Sequence, residues 1–97
     1  MAENPDSPLT AAPLHVFLRQ RRLELNLMQA EIAEVLNVTP ECVGMWECGR
    51  RRMELDKLPR LADALQMDRK ELCARALKEF HPALYTTFFG AGLAVMN

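Results

Sequence analysis

Arg50, Arg51 and Arg52 stand in a row directly after Gly49. A run of guanidinium groups is the side-chain chemistry that grips phosphate oxygens, through charge and through forked hydrogen-bond donors. Arg19 and Arg21 form a second basic pair earlier in the chain. With a formal net charge of −1 overall, the chain concentrates its positive charge at two places instead of spreading it. Between them lie Thr39, Pro40, Glu41, Gly44 and Met45, whose chemistry is different. A carboxylate such as Glu41 can accept from a cytosine amino group, and the methyl-bearing Thr39 and Met45 can pack on a thymine methyl. Gly44 permits close backbone approach. Glu41 also has a purely structural reading, since an acid in the first turn complements the positive end of a helix. A run of three arginines on its own is ordinarily just a solvated surface; placed directly after a helix-turn-helix and Gly49, beside groups able to read base edges, it points to phosphate contact and to duplex DNA as the partner.

Catalysis finds little foothold. His15 and His81 are far apart, neither stands beside a Ser or Cys in a recognisable arrangement, and no glycine-rich phosphate loop is present. Cys42, Cys48 and Cys73 are odd in number and lack metal-ligand spacing. Scattered cysteines of this kind are small core residues, with Cys48 the one thiol on the candidate reading face. The expectation is a protein that is not an enzyme and needs no cofactor or metal.

The elements that must position these groups are helical. At 97 residues and 49% hydrophobic content, the chain is one domain near the lower size limit for a self-sufficient core, so dimerisation would help it. Met1 to Thr10 is polar and proline-punctuated and reads as a disordered arm. From residue 11 to 80 the apolar period is that of helices, and no stretch alternates as a strand would. The expected fold is all-α, a five-helix domain with a short apolar C-terminal helix or tail. The first helix spans about Ala12 to Leu25. Ala33 supplies the small side chain that two steeply crossing helices need, Asn37 suits a left-handed turn, and Thr39-Pro40 reads as an N-cap followed by a first-turn proline. A helix therefore starts at about Pro40. Asp56 is expected to cap a fourth helix running to about Leu65, and Asp68 with Glu71 a fifth running to about Phe80.

Two charges fall on apolar faces. Arg22 lies four after Leu18 on the first helix, and Glu47 lies four after Val43 on the third. Both could sit at the rim of the core and reach water. Two anomalies on neighbouring helices are better explained as partners, because an unpaired buried charge is costly. An Arg22–Glu47 ion pair is the expectation.

LRQRRLELNLMQAEIAEVLNVTPECVGMWECGRRR, followed by LPRLADALQMD, resembles the Cro/CI-type, or Xre-type, family of helix-turn-helix DNA-binding proteins over about Leu14 to Leu72. The resemblance implies five helices, the third in the major groove, dimeric binding to operators, and the Arg/Glu pair reached above from the helical faces. It also implies that Gln29 opens the second helix at the phosphate backbone, and that Thr39, Pro40, Glu41 and Met45 meet the groove. The chain departs from the family pattern at Met28, where a polar cap is usual, and at Asn37, where glycine is usual. Pro40 and Met45 replace polar readers, and one extra residue lies between Gly49 and Leu58.

The last segment, 81–97, concentrates Leu84, Tyr85, Phe88, Phe89 and Leu93. Pro82 can start a short helix to Phe89. The segment can fold back over the first and fifth helices or form a two-fold interface, and the interface is favoured because a large apolar patch on a small protein marks one. The reading is a cytoplasmic, homodimeric, sequence-specific regulator of transcription, a repressor, with duplex DNA as partner and no membrane association. Two alternatives stay open: an antitoxin that also holds a toxin protein, and an interaction module that has lost DNA binding.

Overall fold

The computed structural model describes residues 12–89, so the arm at 1–10 and Leu93 lie outside the described residues. Six α-helices and no strand are found among the described residues. They are α1 (Leu14–Glu24), α2 (Gln29–Leu36), α3 (Pro40–Glu47), α4 (Leu58–Ala64), α5 (Arg69–Phe80) and α6 (Pro82–Phe89), with a 3₁₀ turn at Leu55–Lys57 before α4.

The first helix begins at Leu14, two residues later than expected, because Pro13 occupies its N-cap and has no side-chain acceptor to offer. The cap comes from elsewhere in the fold. Glu79 on α5 accepts the Leu14 N–H through Oε1 at 2.8 Å, and Arg75 Nη2 donates to the Ala12 carbonyl at 3.4 Å. The Arg75 guanidinium also stacks 4.1 Å above the Phe17 ring. An acid at the orphan amides and a cation over the adjoining ring dock α5 on the start of α1.

Four successive helices leave in the same way. Asn26, Asn37, Gly49 and Gln66 all have positive φ, at 59°, 60°, 80° and 57°. After each, the next N–H reaches back five residues: Leu27 to Arg22 O, Val38 to Ala33 O, Arg50 to Met45 O and Met67 to Ala62 O, at 3.1, 3.0, 3.0 and 2.8 Å. This is the Schellman closure, in which a left-handed residue lets the chain turn back on the last carbonyls. Only Gly49 uses the residue best suited to it. In three of the four cases the following apolar residue, Leu27, Val38 or Met67, packs against the core.

Asp56 does not cap α4. It lies inside the 3₁₀ turn, α4 starts at Leu58, and the N-cap position falls to Lys57 without a side-chain acceptor. The tighter turn takes up the Glu54 carbonyl, which accepts the Lys57 N–H at 3.1 Å. Asp68 does cap α5, accepting the Glu71 N–H at 2.9 Å.

Leu14 and Leu18 of α1, Ile32 and Leu36 of α2, Val43 and Trp46 of α3, Leu58, Leu61 and Leu65 around α4, and Leu72 of α5 converge on one core. Ala33, Ala62 and Ala76 are buried in the same cluster, where small side chains let helices approach. Each fully buried leucine contributes roughly 1.5–3 kcal/mol relative to exposure. The last helix is different: α6 packs along α5 yet buries none of its own residues.

Candidate nucleic-acid interface

The helix-turn-helix is built by α2, the Asn37 turn and α3. Asn37 is left-handed, with ψ 46° completing the conformation that Asn tolerates best after glycine. Thr39 then caps α3, its Oγ1 accepting the Cys42 N–H at 3.1 Å, and Pro40 fills the first turn. Met28, at the start of α2, makes no side-chain cap. Its own N–H donates to Glu31 Oε1 at 2.7 Å, which supplies one half of a capping box.

The angle between α1, α2 and α3 is held by a buried polar cluster. Arg22 donates from Nε to Glu47 Oε2 at 2.7 Å and from Nη2 to Glu47 Oε1 at 3.0 Å, with both side chains under a tenth exposed. The remaining Arg22 arm, Nη1, donates to the Leu27 carbonyl at 2.7 Å. Gln29 Nε2 then donates to the same Glu47 Oε1 at 3.1 Å. The Glu47 hydrogen bonds hold the Arg22 guanidinium above its already high ordinary pKa, against the opposing effect of burial.

Thr39, Pro40, Glu41 and Met45 are all exposed along the outer side of the first turns of α3. Gly44 is half-buried instead. A Cβ built on it would lie 3.6 Å from Gln29 Oε1, an ordinary van der Waals distance, so the glycine lies against the Gln29 carboxamide. Gln29 thus braces α3 from the position where the family resemblance implied a phosphate contact.

The five arginines expected at phosphates separate into distinct environments. Arg19 and Arg50 are exposed, and neither guanidinium group has a hydrogen bond or ion pair among the described residues, although the Arg50 backbone N–H donates to the Met45 carbonyl. Arg51 is exposed and pairs with Glu54 at 3.0 Å. A backbone hydrogen bond at Glu54, followed by Arg51, holds that carboxyl below the ordinary range. Arg52 stacks with its guanidinium carbon 4.4 Å from the Phe80 ring centroid. Arg21 turns the other way: Nε donates to the Leu65 carbonyl at 2.9 Å, Nη2 to the Gln66 carbonyl at 3.3 Å, and Nη1 meets Glu24 at 3.3 Å. It closes the end of α4 from α1, a role for which the only local sequence signal was Glu24 three residues on.

The remaining candidates are divided between surface and interior. Leu84 and Phe88 of α6 are 44% and 61% exposed, while Tyr85 and Phe89 are half-buried with ring centroids 5.5 Å apart. Cys48 is exposed at the end of α3 and donates weakly to the Met45 carbonyl at 3.7 Å. Burial pushes the Cys73 thiol up, away from reactivity. No group of residues that could hold a metal ion is found among the described residues, and no helix there is long and apolar enough to cross a membrane.

Comparison with curated proteins and with solved structures gives no match. The family model described as helix-turn-helix matches residues 18–72, which run from the middle of α1 into α5 and include the Asn37 turn, the whole of α3 and the arginine run. With more than half of its length matched, the chain belongs to the Cro/CI-type helix-turn-helix family of DNA-binding regulators.

Proposed function

We propose that the protein is a dimeric repressor that binds a pseudo-palindromic operator, inserting α3 of each subunit into successive major grooves. The observation that carries this reading is the exposure of Thr39, Pro40, Glu41 and Met45 on α3 together with the exposed guanidinium groups of Arg19 on α1 and Arg50 directly after α3. Glu41 accepts from a cytosine amino group, and Met45 and Thr39 pack on thymine methyls. Gly44 keeps the α3 backbone close to the groove wall. Arg19 and Arg50 anchor phosphates, joined by Arg51 when it exchanges Glu54 for DNA and by Arg52 from its seat on Phe80. The amides opening α2, beside Gln29, add donors to the same backbone. Arg21, whose donors are taken by the Leu65 and Gln66 carbonyls just after α4, is not assigned to this set.

Dimerisation is assigned to α6. Leu84 and Phe88 expose apolar surface that α5 leaves uncovered, with the half-buried Tyr85 and Phe89 on the same helix; Leu93, assigned to the interface from the sequence, lies outside the described residues. A two-fold dimer of this kind is expected on half-sites about 34 Å apart, one helical turn of DNA. Repression follows from occlusion of a promoter. Selection of bound duplexes from a random pool tests the reading, since it requires an inverted repeat. The same exposed face of α6 also favours a second reading, an antitoxin whose apolar surface holds a toxin protein. Sedimentation of the purified chain separates the two, because a homodimer needs no second polypeptide.

A further inference from the structure

The three arginines that follow α3 stand in three different states. Arg50 is exposed with no side-chain partner among the described residues, Arg51 pairs with Glu54 at 3.0 Å, and Arg52 lies with its guanidinium carbon 4.4 Å from the centroid of the Phe80 ring. The stack differs from the ion pair in what it leaves free. A guanidinium meets an aromatic ring through its flat face and donates hydrogen bonds in its own plane. Arg52 is therefore restrained while its donor edge stays open, and among the described residues no hydrogen bond or ion pair occupies that edge.

Both sides of this contact are tied to the folded domain. Phe80 is the last residue of α5 and packs, half-buried, against the core. One residue before it, Glu79 directs Oε1 to the Leu14 amide of α1 at 2.8 Å and not to an arginine of the segment. One residue after it, the His81 N–H donates to the Leu77 carbonyl at 2.8 Å and closes the helix. On the other side, Met53 is buried in the core directly after Arg52, and Gly49 lies against the His15 ring. The ring is a fixed platform, and the backbone that carries Arg52 is held beside it.

We propose that Phe80 is a positioning residue for DNA binding, its ring holding the Arg52 guanidinium in readiness for a phosphate of the duplex backbone. This rests on the DNA-binding reading above and assigns to that site a residue of α5, outside the helix-turn-helix. Arg51 must leave Glu54 before it meets a phosphate, and Arg50 must give up the rotamer freedom of an unrestrained side chain. Arg52 has lost part of that freedom on folding and has no carboxylate to leave, so it meets a phosphate at the lowest conformational cost of the three.

A double-mutant cycle in the full-length protein, read on a duplex carrying the selected sequence, tests the assignment. Phe80→Leu removes the ring while keeping apolar packing, and should weaken binding about two- to fivefold, the range for a cation–π contact at an exposed site. In the Arg52→Gln background the same substitution should have no effect. Phe80→Tyr, which keeps a ring, should bind as the wild type does. Equal losses in both backgrounds, a tyrosine variant as weak as the leucine variant, or a leucine variant with wild-type affinity each overturns the proposal. A measurement that needs no variant is made on the free wild-type protein, by ¹⁵N relaxation of the arginine Nε–H groups. Arg52 should be ordered on the ps–ns timescale and Arg50 mobile; equal mobility of the two overturns the proposal even if Phe80→Leu does not fold. Failure of the wild type to bind any duplex overturns the DNA reading and this proposal with it, an outcome distinct from a wild type that binds and a leucine variant that binds equally well.

Discussion

Gln29 on α2 donates from Nε2 to Glu47 Oε1 on α3 at 3.1 Å, joining the two halves of the helix-turn-helix through a side chain that also receives the Arg22 fork. The bond makes Glu47 the point at which α1, α2 and α3 meet. The angle of α3 is therefore set by a buried carboxylate rather than by apolar contact alone.

Removing that carboxylate strands the Arg22 charge inside the fold. Glu47→Ala should destabilise the protein by about 3–5 kcal/mol in urea unfolding, whereas the double replacement Arg22→Met/Glu47→Leu should recover much of the loss, since an apolar pair carries no desolvation penalty. Wild-type melting of Glu47→Ala would show that the cluster is not a stabilising unit.

The left-handed residues at helix exits predict opposite effects for two substitutions. Gln66 holds φ 57° without the help that an Asn side chain gives, so Gln66→Gly should raise stability by about 1 kcal/mol. Asn37→Val places a β-branched residue at φ 60° and should cost about 1–2 kcal/mol or more. Thermal denaturation of the two variants checks the signs.

Gly44 lies inside α3 with room for a methyl group against Gln29. Gly44→Ala should therefore stabilise the fold by about 1 kcal/mol through helix propensity. If the glycine keeps the backbone close to DNA, the same variant should bind its operator more weakly. A variant that melts later and binds as well as wild type would assign Gly44 no part in recognition.

The arginines should divide by environment. Arg50→Ala is expected to leave the melting temperature unchanged and to lower the slope of log affinity against log salt by about 1. Arg21→Ala removes the donors to the Leu65 and Gln66 carbonyls and should lower the melting temperature with little change in the slope. Melting curves and binding at several salt concentrations distinguish them.

The parts of this architecture legible in the sequence are those encoded locally. Arg22 and Glu47 stood out because the helical period put charges on apolar faces, and Asn37, Thr39 and Pro40 announced their turn by residue type. Asp56 misled because capping residues also favour 3₁₀ turns, and the single intervening Lys57 shifted the helix start. Arg21 could not be assigned from spacing, since its carbonyl partners lie 44 and 45 residues away. The family resemblance implied a phosphate contact for Gln29, and only the packing of α3 beside it reveals the bond to Glu47. The same holds for Glu79, whose role at the amide of Leu14 depends on how α5 docks across 65 residues of chain.

Selection of bound sequences from a random duplex pool, followed by affinity for the selected duplex at two salt concentrations, decides whether the protein is an operator-binding dimer. An inverted repeat with half-sites about one helical turn apart is expected, with affinity that falls steeply as salt rises. A pool that yields no enriched sequence, with binding absent or indifferent to salt, would contradict the operator-binding reading.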